Sequence, residues 1–171
     1  MLLEYRKLSL INGLILSFLL CLITMCFYLL DSNKLHETLF YPVFFYCVLL
    51  LFPLIVLNQK VKISISTFKD CFSIIFLILS VALLGHMLFT LLLYNIIDQH
   101  LVTHFVDVKM RDYIHIAHQG KVLEAELEND IYNSLLINFS IKSQFNSYIF
   151  ALIPCVLYAA LISLLFKIKK F

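Results

Sequence analysis

The chain has 171 residues, of which 62% are hydrophobic and 14% are charged, with a mean hydropathy of +0.95 and a formal net charge of +2. A globular domain of this size cannot bury so much apolar surface, so lipid has to cover it, which indicates a multi-spanning membrane protein. The small net charge does not indicate binding to nucleic acid. The five cysteines form no CxxC pair and do not have the spacing of zinc ligands.

The first two apolar runs predict transmembrane helices. Residues 8–30 contain no charged side chain and reach about 34 Å as a helix, which is enough to cross a hydrocarbon core of about 30 Å. Residues 39–57 form the second predicted span, with Pro42 in its first turn and Pro53 near its far end. A short polar link, 31–38, separates the two.

Two further runs complete four predicted spans, at 71–97 and 148–166. Thr67 and Asp70 have the spacing of a capping box just before the third span. Residues 98–147 form the only long stretch that is not overwhelmingly apolar. We therefore predict one integral membrane domain over 1–171, all-α, with four transmembrane helices and an extracytoplasmic helical segment between the third and fourth.

The distribution of lysine and arginine predicts the orientation. Two lie in the head, three in the link before the third span and three after the fourth, against one in the first link and four in residues 98–147. Cytoplasmic loops carry the excess of basic residues. Both termini are therefore expected in the cytoplasm, and residues 98–147 on the outer, periplasmic side.

His86 is the ionisable residue near the middle of the third span. Such a residue is costly in a bilayer and raises a functional hypothesis, namely a proton relay or a contact with a substrate. The structural alternative is a neutral imidazole that bonds to a neighbouring helix, with Gly85 and Thr90 beside it permitting close packing. Because none of the predicted spans holds Asp, Glu, Lys or Arg as a partner, the structural alternative is favoured.

The first part of the outer segment has the pattern of an amphipathic helix. Its polar stripe is about 27 Å long, so no single ion can contact all of its histidines, and the central Arg111 would repel one. The compact trio His100, His104 and Asp107 leaves metal binding open as a minor alternative to a solvated face. Sensing of pH by the histidines of the stripe is a second minor alternative. The polar stripe consists of His100, His104, Asp107, Arg111, His115 and His118, and the apolar side of Leu101, Val102, Phe105, Val106, Met110, Tyr113 and Ala117.

A second outer helix is predicted over residues 122–136, after a break at Gly120. Its apolar residues, Leu127 among them, are expected to face inward and its acidic residues outward. The acidic cluster resembles a calcium ligand set but lacks the loop glycine and spacing of an EF-hand, so a solvated face is expected. The acidic residues are Glu124, Glu126, Glu128 and Asp130.

The motifs of catalysis do not occur. The sequence contains no nucleophile paired with a base, no phosphate-binding loop and no dinucleotide-binding glycines. We therefore predict no catalytic, cofactor-binding or metal-binding residues, no cofactor and no enzymatic activity.

The run from residue 62 to residue 98 resembles the Bacteroidota membrane protein family named domain of unknown function 4199. The resemblance rests on a basic link that leads into the third span, on a tyrosine-to-aspartate pattern that ends that span, and on the lysines after the fourth. It implies the four-span fold and a bacterial phylum, and it implies no activity. Together with the predicted spans, it leads us to expect a location in the bacterial inner membrane. The matching residues are Thr67, Phe68, Cys71, Phe72, Tyr94, Ile97 and Asp98.

These observations favour a non-enzymatic subunit or scaffold that binds another membrane component, with the lipid bilayer, a membrane-protein partner or a second copy as expected partners. The first alternative is a small carrier or permeation subunit with His86 at the midplane. The second is an enzyme that acts on a lipid-linked substrate. Its weakness is that no pair of carboxylates and no basic phosphate clamp is evident near a membrane face.

Overall fold

The computed structural model describes residues 2–30, 35, 40–60, 67–117 and 125–168, and the regular structure within them is helical, with no strand. The helical prediction is confirmed for these residues. His36, His118, Gly120 and Glu124 lie outside them. The elements are α1 (Leu2–Leu30), α2 (Phe40–Lys60), α3 (Phe68–Leu92), a π-helical turn (Leu93–Ile97), α4 (Gln99–Ala117), α5 (Ala125–Ile137) and α6 (Ile141–Ile168).

Four helices of the described chain are long and apolar enough to cross a membrane. Leucine and phenylalanine side chains such as Leu14, Phe18 and Phe150 are largely exposed on them, which is unusual for a protein surrounded by water. The four helices fit a multi-pass membrane protein. The candidate spans are Tyr5–Leu30, Phe40–Asn58, Phe68–Ile97 and Ile141–Phe166.

The chain divides into two compact units. The first is Met1–Met87 together with Tyr148–Phe171, and the second is Leu88–Ser147. The first unit holds the core cluster of leucine and isoleucine side chains, such as Leu16, Leu20 and Ile75.

In the first unit, glycines allow α1 and α3 to approach closely. A Cβ atom added at Gly13 would lie 2.8 Å from the Cβ of Val81 and 3.1 Å from the backbone oxygen of Ile78. A Cβ atom added at Gly85 would collide with the side chain of Ser17. Small residues at such crossings let transmembrane helices gain van der Waals contact and interhelical hydrogen bonds, because lipid supplies no hydrophobic drive between helices.

Helix α6 is tied to α2 and α3 by tyrosine hydroxyls. Tyr158 donates a hydrogen bond to the backbone oxygen of Leu50 in α2, and Tyr148 donates one of 3.4 Å to the backbone oxygen of Ser80 in α3. Leu50 lies in the turn preceding Pro53, whose ring nitrogen has no hydrogen to donate within α2. The carbonyl that loses its helix donor at Pro53 is that of Leu49, so the Tyr158 hydroxyl bonds to the neighbouring carbonyl and links α6 to α2 at this level.

Side-chain caps set where two helices begin. At α3, the backbone N–H of Asp70 donates to Thr67 Oγ1 over 3.2 Å, and the Thr67 hydroxyl donates to Asp70 Oδ2 over 2.6 Å. The predicted capping pair is therefore confirmed. At α6, Ser140 accepts from the N–H of Ser143, so the helix begins at Ile141 and not at 148, where the apolar run starts.

The third apolar run ends in a π-helical turn. The N–H of Asp98 bonds to the backbone oxygen of Leu93 over 2.9 Å, five residues back, which closes the wider π ring. The Asp98 carboxylate then accepts a hydrogen bond of 3.1 Å from the N–H of Leu101 in the first turn of α4. Asp98 therefore both terminates one helix and caps the next.

The close approach at Gly85 gives a test of the α1–α3 packing. We expect Gly85→Ala to lower the free energy of unfolding by about 1–3 kcal/mol, because the added methyl group overpacks against Ser17. In a Ser17→Gly background the same change should be nearly neutral. The measurement is reversible unfolding in mixed detergent micelles.

Gly13→Ala serves as the control, because its new methyl group meets Val81 and backbone of α3, which Ser17→Gly does not move. Its cost should be the same in both backgrounds. An equal cost of Gly85→Ala in the two backgrounds would contradict the packing described here.

Candidate functional site

The strongest polar cluster of the first unit surrounds His86 of α3. Its Nε2 atom lies 2.9 Å from the hydroxyl oxygen of Thr24 in α1 and 3.3 Å from that of Tyr41 in α2. The two hydroxyls lie 2.9 Å apart. His86, Thr24 and Tyr41 therefore join three helices through one compact hydrogen-bonded group, which we call the His86 triad.

Thr24 is the centre of this triad, and its hydrogen bonds constrain those of the others. The side chain of Thr24 is buried, and its hydroxyl donates to the backbone oxygen of Leu20 over 3.0 Å. A threonine hydroxyl has one hydrogen and two lone pairs. If that hydrogen goes to Leu20, Thr24 can accept from both the Tyr41 hydroxyl and the Nε2–H of His86, so that every hydrogen of the triad has an acceptor.

Aromatic rings form the surroundings of the triad. The buried ring of Phe45 lies 4.7 Å from the imidazole, centroid to centroid, at an interplanar angle of 56°. The ring of Phe27 meets that of Tyr41 edge-on at 5.5 Å.

The predicted hydrogen bond from His86 to a neighbouring helix is confirmed, and two helices supply its partners. The sequence reasoning missed Thr24 and Tyr41, since a threonine or tyrosine in an apolar run carries no signal of its partner.

The polar stripe of α4 is confirmed in the residues whose side chains are described. His100, His104, Asp107 and Arg111 are exposed. On the other side of the helix, Leu101, Phe105, Val106 and Met110 are buried, whereas Tyr113 is 42% exposed. The side chains of His115 and Ala117 are outside the described part, as is residue 118.

The structure does not bring the compact trio of this stripe together around an ion. Within the described residues, no three His, Cys, Asp or Glu side chains are placed to hold a metal. His100, His104 and Asp107 are exposed on one face of α4. Of the acidic residues in the second outer helix, Glu128 and Asp130 are exposed.

Leu127 of α5 departs from the prediction, because it is 45% exposed instead of facing inward. The interior of this unit is built instead on an aromatic cluster of Tyr94, Phe105 and Phe139. The ring of Tyr94 meets those of Phe105 and Phe139 edge-on at 6.2 Å and 5.4 Å. The sequence reasoning missed this cluster because its three residues come from three separate segments.

A cavity of about 300 Å³ lies beside that aromatic cluster, at the lower limit for small-molecule sites. Its polar groups include the amides of Asn95 and Gln99. The amide nitrogen of Asn95 donates to Leu91 O over 2.9 Å, and that of Gln99 donates to Asn95 O over 2.8 Å. Because these donors bond to the backbone of their own segment, they help to hold the corner between the π-helical turn and α4.

Comparison with known proteins assigns the family. The family described as Protein of unknown function (DUF4199) matches residues 11–168. The chain belongs to this DUF4199 family. No curated protein matches the chain, and no solved structure matches it.

The residues that carried the resemblance to DUF4199 have structural roles in this chain. Thr67 caps α3, Asp98 caps α4, and Cys71 is buried. Phe68 and Phe72 begin a stack of rings along α3, with centroids 6.1 Å apart. Thr67 and Asp98 define where helices begin, and Cys71 and Phe72 pack within α3. Such roles can identify the fold without indicating an activity.

The His86 triad can be tested with a double-mutant cycle. We expect a coupling energy of about 0.6–1.7 kcal/mol between Thr24→Val and His86→Phe, from the average to the maximum found for hydrogen bonds between membrane helices. The measurement is the free energy of unfolding of the two single variants and the double variant in detergent.

Ser163→Ala is the matched control for this cycle. Ser163 is also buried, but its hydroxyl bonds to the backbone oxygen of Ala159 at 2.6 Å and forms a hydrogen bond with Cys71, and neither group belongs to the His86 triad. Its cost should add to that of His86→Phe without coupling, within about 0.3–0.5 kcal/mol. Equal coupling for Thr24 and Ser163 would contradict the triad.

Proposed function

We propose that this protein is a non-enzymatic four-span subunit of the bacterial inner membrane that holds another membrane protein. The single observation that carries the proposal is that the interior polar side chains of the first unit form hydrogen bonds within the protein. His86, Thr24 and Tyr41 bond to one another, and Ser9, Thr24 and Ser163 donate to backbone oxygens four residues back. The triad holds three helices against each other, as a scaffold requires. The serine hydroxyls bond to the backbone of their own helices.

Helix α6 provides the surface for the partner. In the most apolar 18-residue stretch of each candidate span, only 17% is buried within the protein for α6. The buried share is 28% for α1 and α2 and 44% for α3. A helix with so little intramolecular packing has the largest face available to a neighbour. Its exposed stripe follows helical spacing and consists of Phe150, Ile153, Leu157, Leu161 and Leu164.

The proposal includes an orientation. The exposed cations Arg6 and Lys7 lie at the start of α1, and Lys69 lies at the start of α3. The positive-inside rule assigns such ends to the cytoplasm. Both termini are then cytoplasmic, and residues 98–147 are periplasmic.

Site-specific crosslinking tests the partner surface. A photoreactive phenylalanine analogue at Leu157 should give a discrete protein adduct in native membranes, because that side chain faces outward from α6. Mass spectrometry then identifies the adduct. The same analogue at Phe18, equally exposed on α1, is the control and should give lipid adducts only. Lipid adducts alone at both positions would contradict a subunit that binds through α6.

A carrier or permeation subunit is the second candidate, and the observation that favours it is a polar triad inside a span. His86→Phe separates the two. A subunit should keep its partner in a mild-detergent purification, with stability reduced by the loss of the hydrogen bonds. A carrier would retain its fold and lose transport. Retained copurification together with unchanged flux in membrane vesicles would eliminate the carrier.

Thiol labelling tests the orientation. Thr103 is exposed on α4, so Thr103→Cys should react with a membrane-impermeant maleimide after the outer membrane alone is permeabilised. Lys7→Cys should react only after the inner membrane is opened. Reactivity in the opposite order would reverse the assignment. The unsubstituted chain supplies the background, because its five cysteines lie within the candidate spans.

A further inference from the structure

A cavity of about 670 Å³ lies between the first turns of α1 and α3, within the first unit. This volume falls in the range of small-molecule and cofactor sites. Arg6 of α1 and Lys69 of α3 line it, and both are exposed. Neither position was singled out by the sequence, because the two cations are more than sixty residues apart and only the helix packing brings them together.

The polar lining has a definite charge balance. Besides the two cations it contains the carboxylate of Asp70, which accepts the Thr67 hydroxyl at 2.6 Å, and the exposed Ser73. The formal charge of these side chains is therefore +1. Arginine presents a planar fork of N–H groups that matches the oxygens of a phosphate, and a lysine ammonium adds a point charge beside it.

The remaining lining is apolar except for Tyr5 and Ser9, and it follows the helices away from the cations. The Ser9 hydroxyl donates to the backbone oxygen of Tyr5 over 2.8 Å. Leu10 belongs to α1, and Phe72, Phe76 and Leu77 belong to α3. The rings of Phe72 and Phe76 are stacked, with centroids 5.9 Å apart and an interplanar angle of 10°. From Lys69 to Leu77 the helix rises about 12 Å, so an apolar path leads inward from a cationic entrance.

We propose that this cavity binds one anionic glycerophospholipid, with the phosphate at Arg6 and Lys69 and an acyl chain along Phe72, Phe76 and Leu77. The charge of +1 complements a singly charged headgroup. A soluble phosphate would use the cations and leave the apolar wall unoccupied, whereas a lipid uses both. Basic pockets between membrane helices bind anionic headgroups by this chemistry. The inference goes beyond the partner-binding role and does not depend on it.

Native mass spectrometry of the full chain tests the proposal, with phosphatidylglycerol and phosphatidylcholine as probes added to detergent micelles. The wild-type chain should retain one phosphatidylglycerol in preference to phosphatidylcholine. The variant Arg6→Gln/Lys69→Gln should lower that preference by roughly thirtyfold, because each cation near an anionic headgroup contributes roughly fivefold.

The matched control is Lys7→Gln/Lys142→Gln, which removes the same charge from two exposed lysines outside the cavity lining. It should keep the wild-type preference. Leu10→Gln places an amide in the apolar wall and should weaken phosphatidylglycerol binding several-fold without altering the cations. Thermal unfolding of each variant checks that the fold is retained.

Three results would overturn the proposal. Equal retention of the two lipids by the wild-type chain would show that no anionic lipid site exists. An equal loss of preference in the control variant would show that overall charge, and not the cavity, attracts the lipid. Displacement of phosphatidylglycerol by millimolar glycerol phosphate would show a site for the anion alone.

Discussion

The contact of Gly85 with Ser17 is the constraint on which the arrangement of the first unit depends. Because Gly85 has no side chain, α3 lies against α1 at this level, and the next residue, His86, comes within 2.9 Å of Thr24. A larger residue at 85 would separate the helices and leave the half-buried imidazole of His86 and the buried hydroxyl of Thr24 without each other. In hydrocarbon, such unsatisfied groups are costly. The close approach of α1 and α3 at Gly85 is therefore what allows His86 and Thr24 to form their hydrogen bond.

Composition and hydropathy were sufficient for the large-scale fold, because lipid imposes length and apolarity on every span. The Thr67–Asp70 cap could also be predicted, since a capping box is a local pattern. Local patterns did not give the partners of His86, which lie 62 and 45 residues away on other helices. They also missed the start of α6, where Ser140 sets the boundary and hydropathy does not.

Leu127 shows why the outer segment was harder to predict than the spans. An inward apolar face was inferred from helical periodicity alone, yet Leu127 is exposed while Phe139, beyond the end of α5, packs with Tyr94 and Phe105. In a span, every face is apolar, so orientation errors have little effect on the prediction. In an amphipathic segment, the direction of each side chain depends on tertiary contacts that periodicity does not contain.

The two ends of α3 differ in what they can do. Its middle and C-terminal turns are occupied by contacts that hold helices together, namely Gly85, His86 and the π-helical turn that ends at Asp98. Its first turns, in contrast, border a cavity with two exposed cations and stacked phenyl rings. Contacts that hold the middle of α3 against α1 and α2 also fix the position of its first turns relative to α1. If the cavity binds a lipid as proposed, the bundle interior would position that site, and recognition would take place where the chain meets the membrane interface.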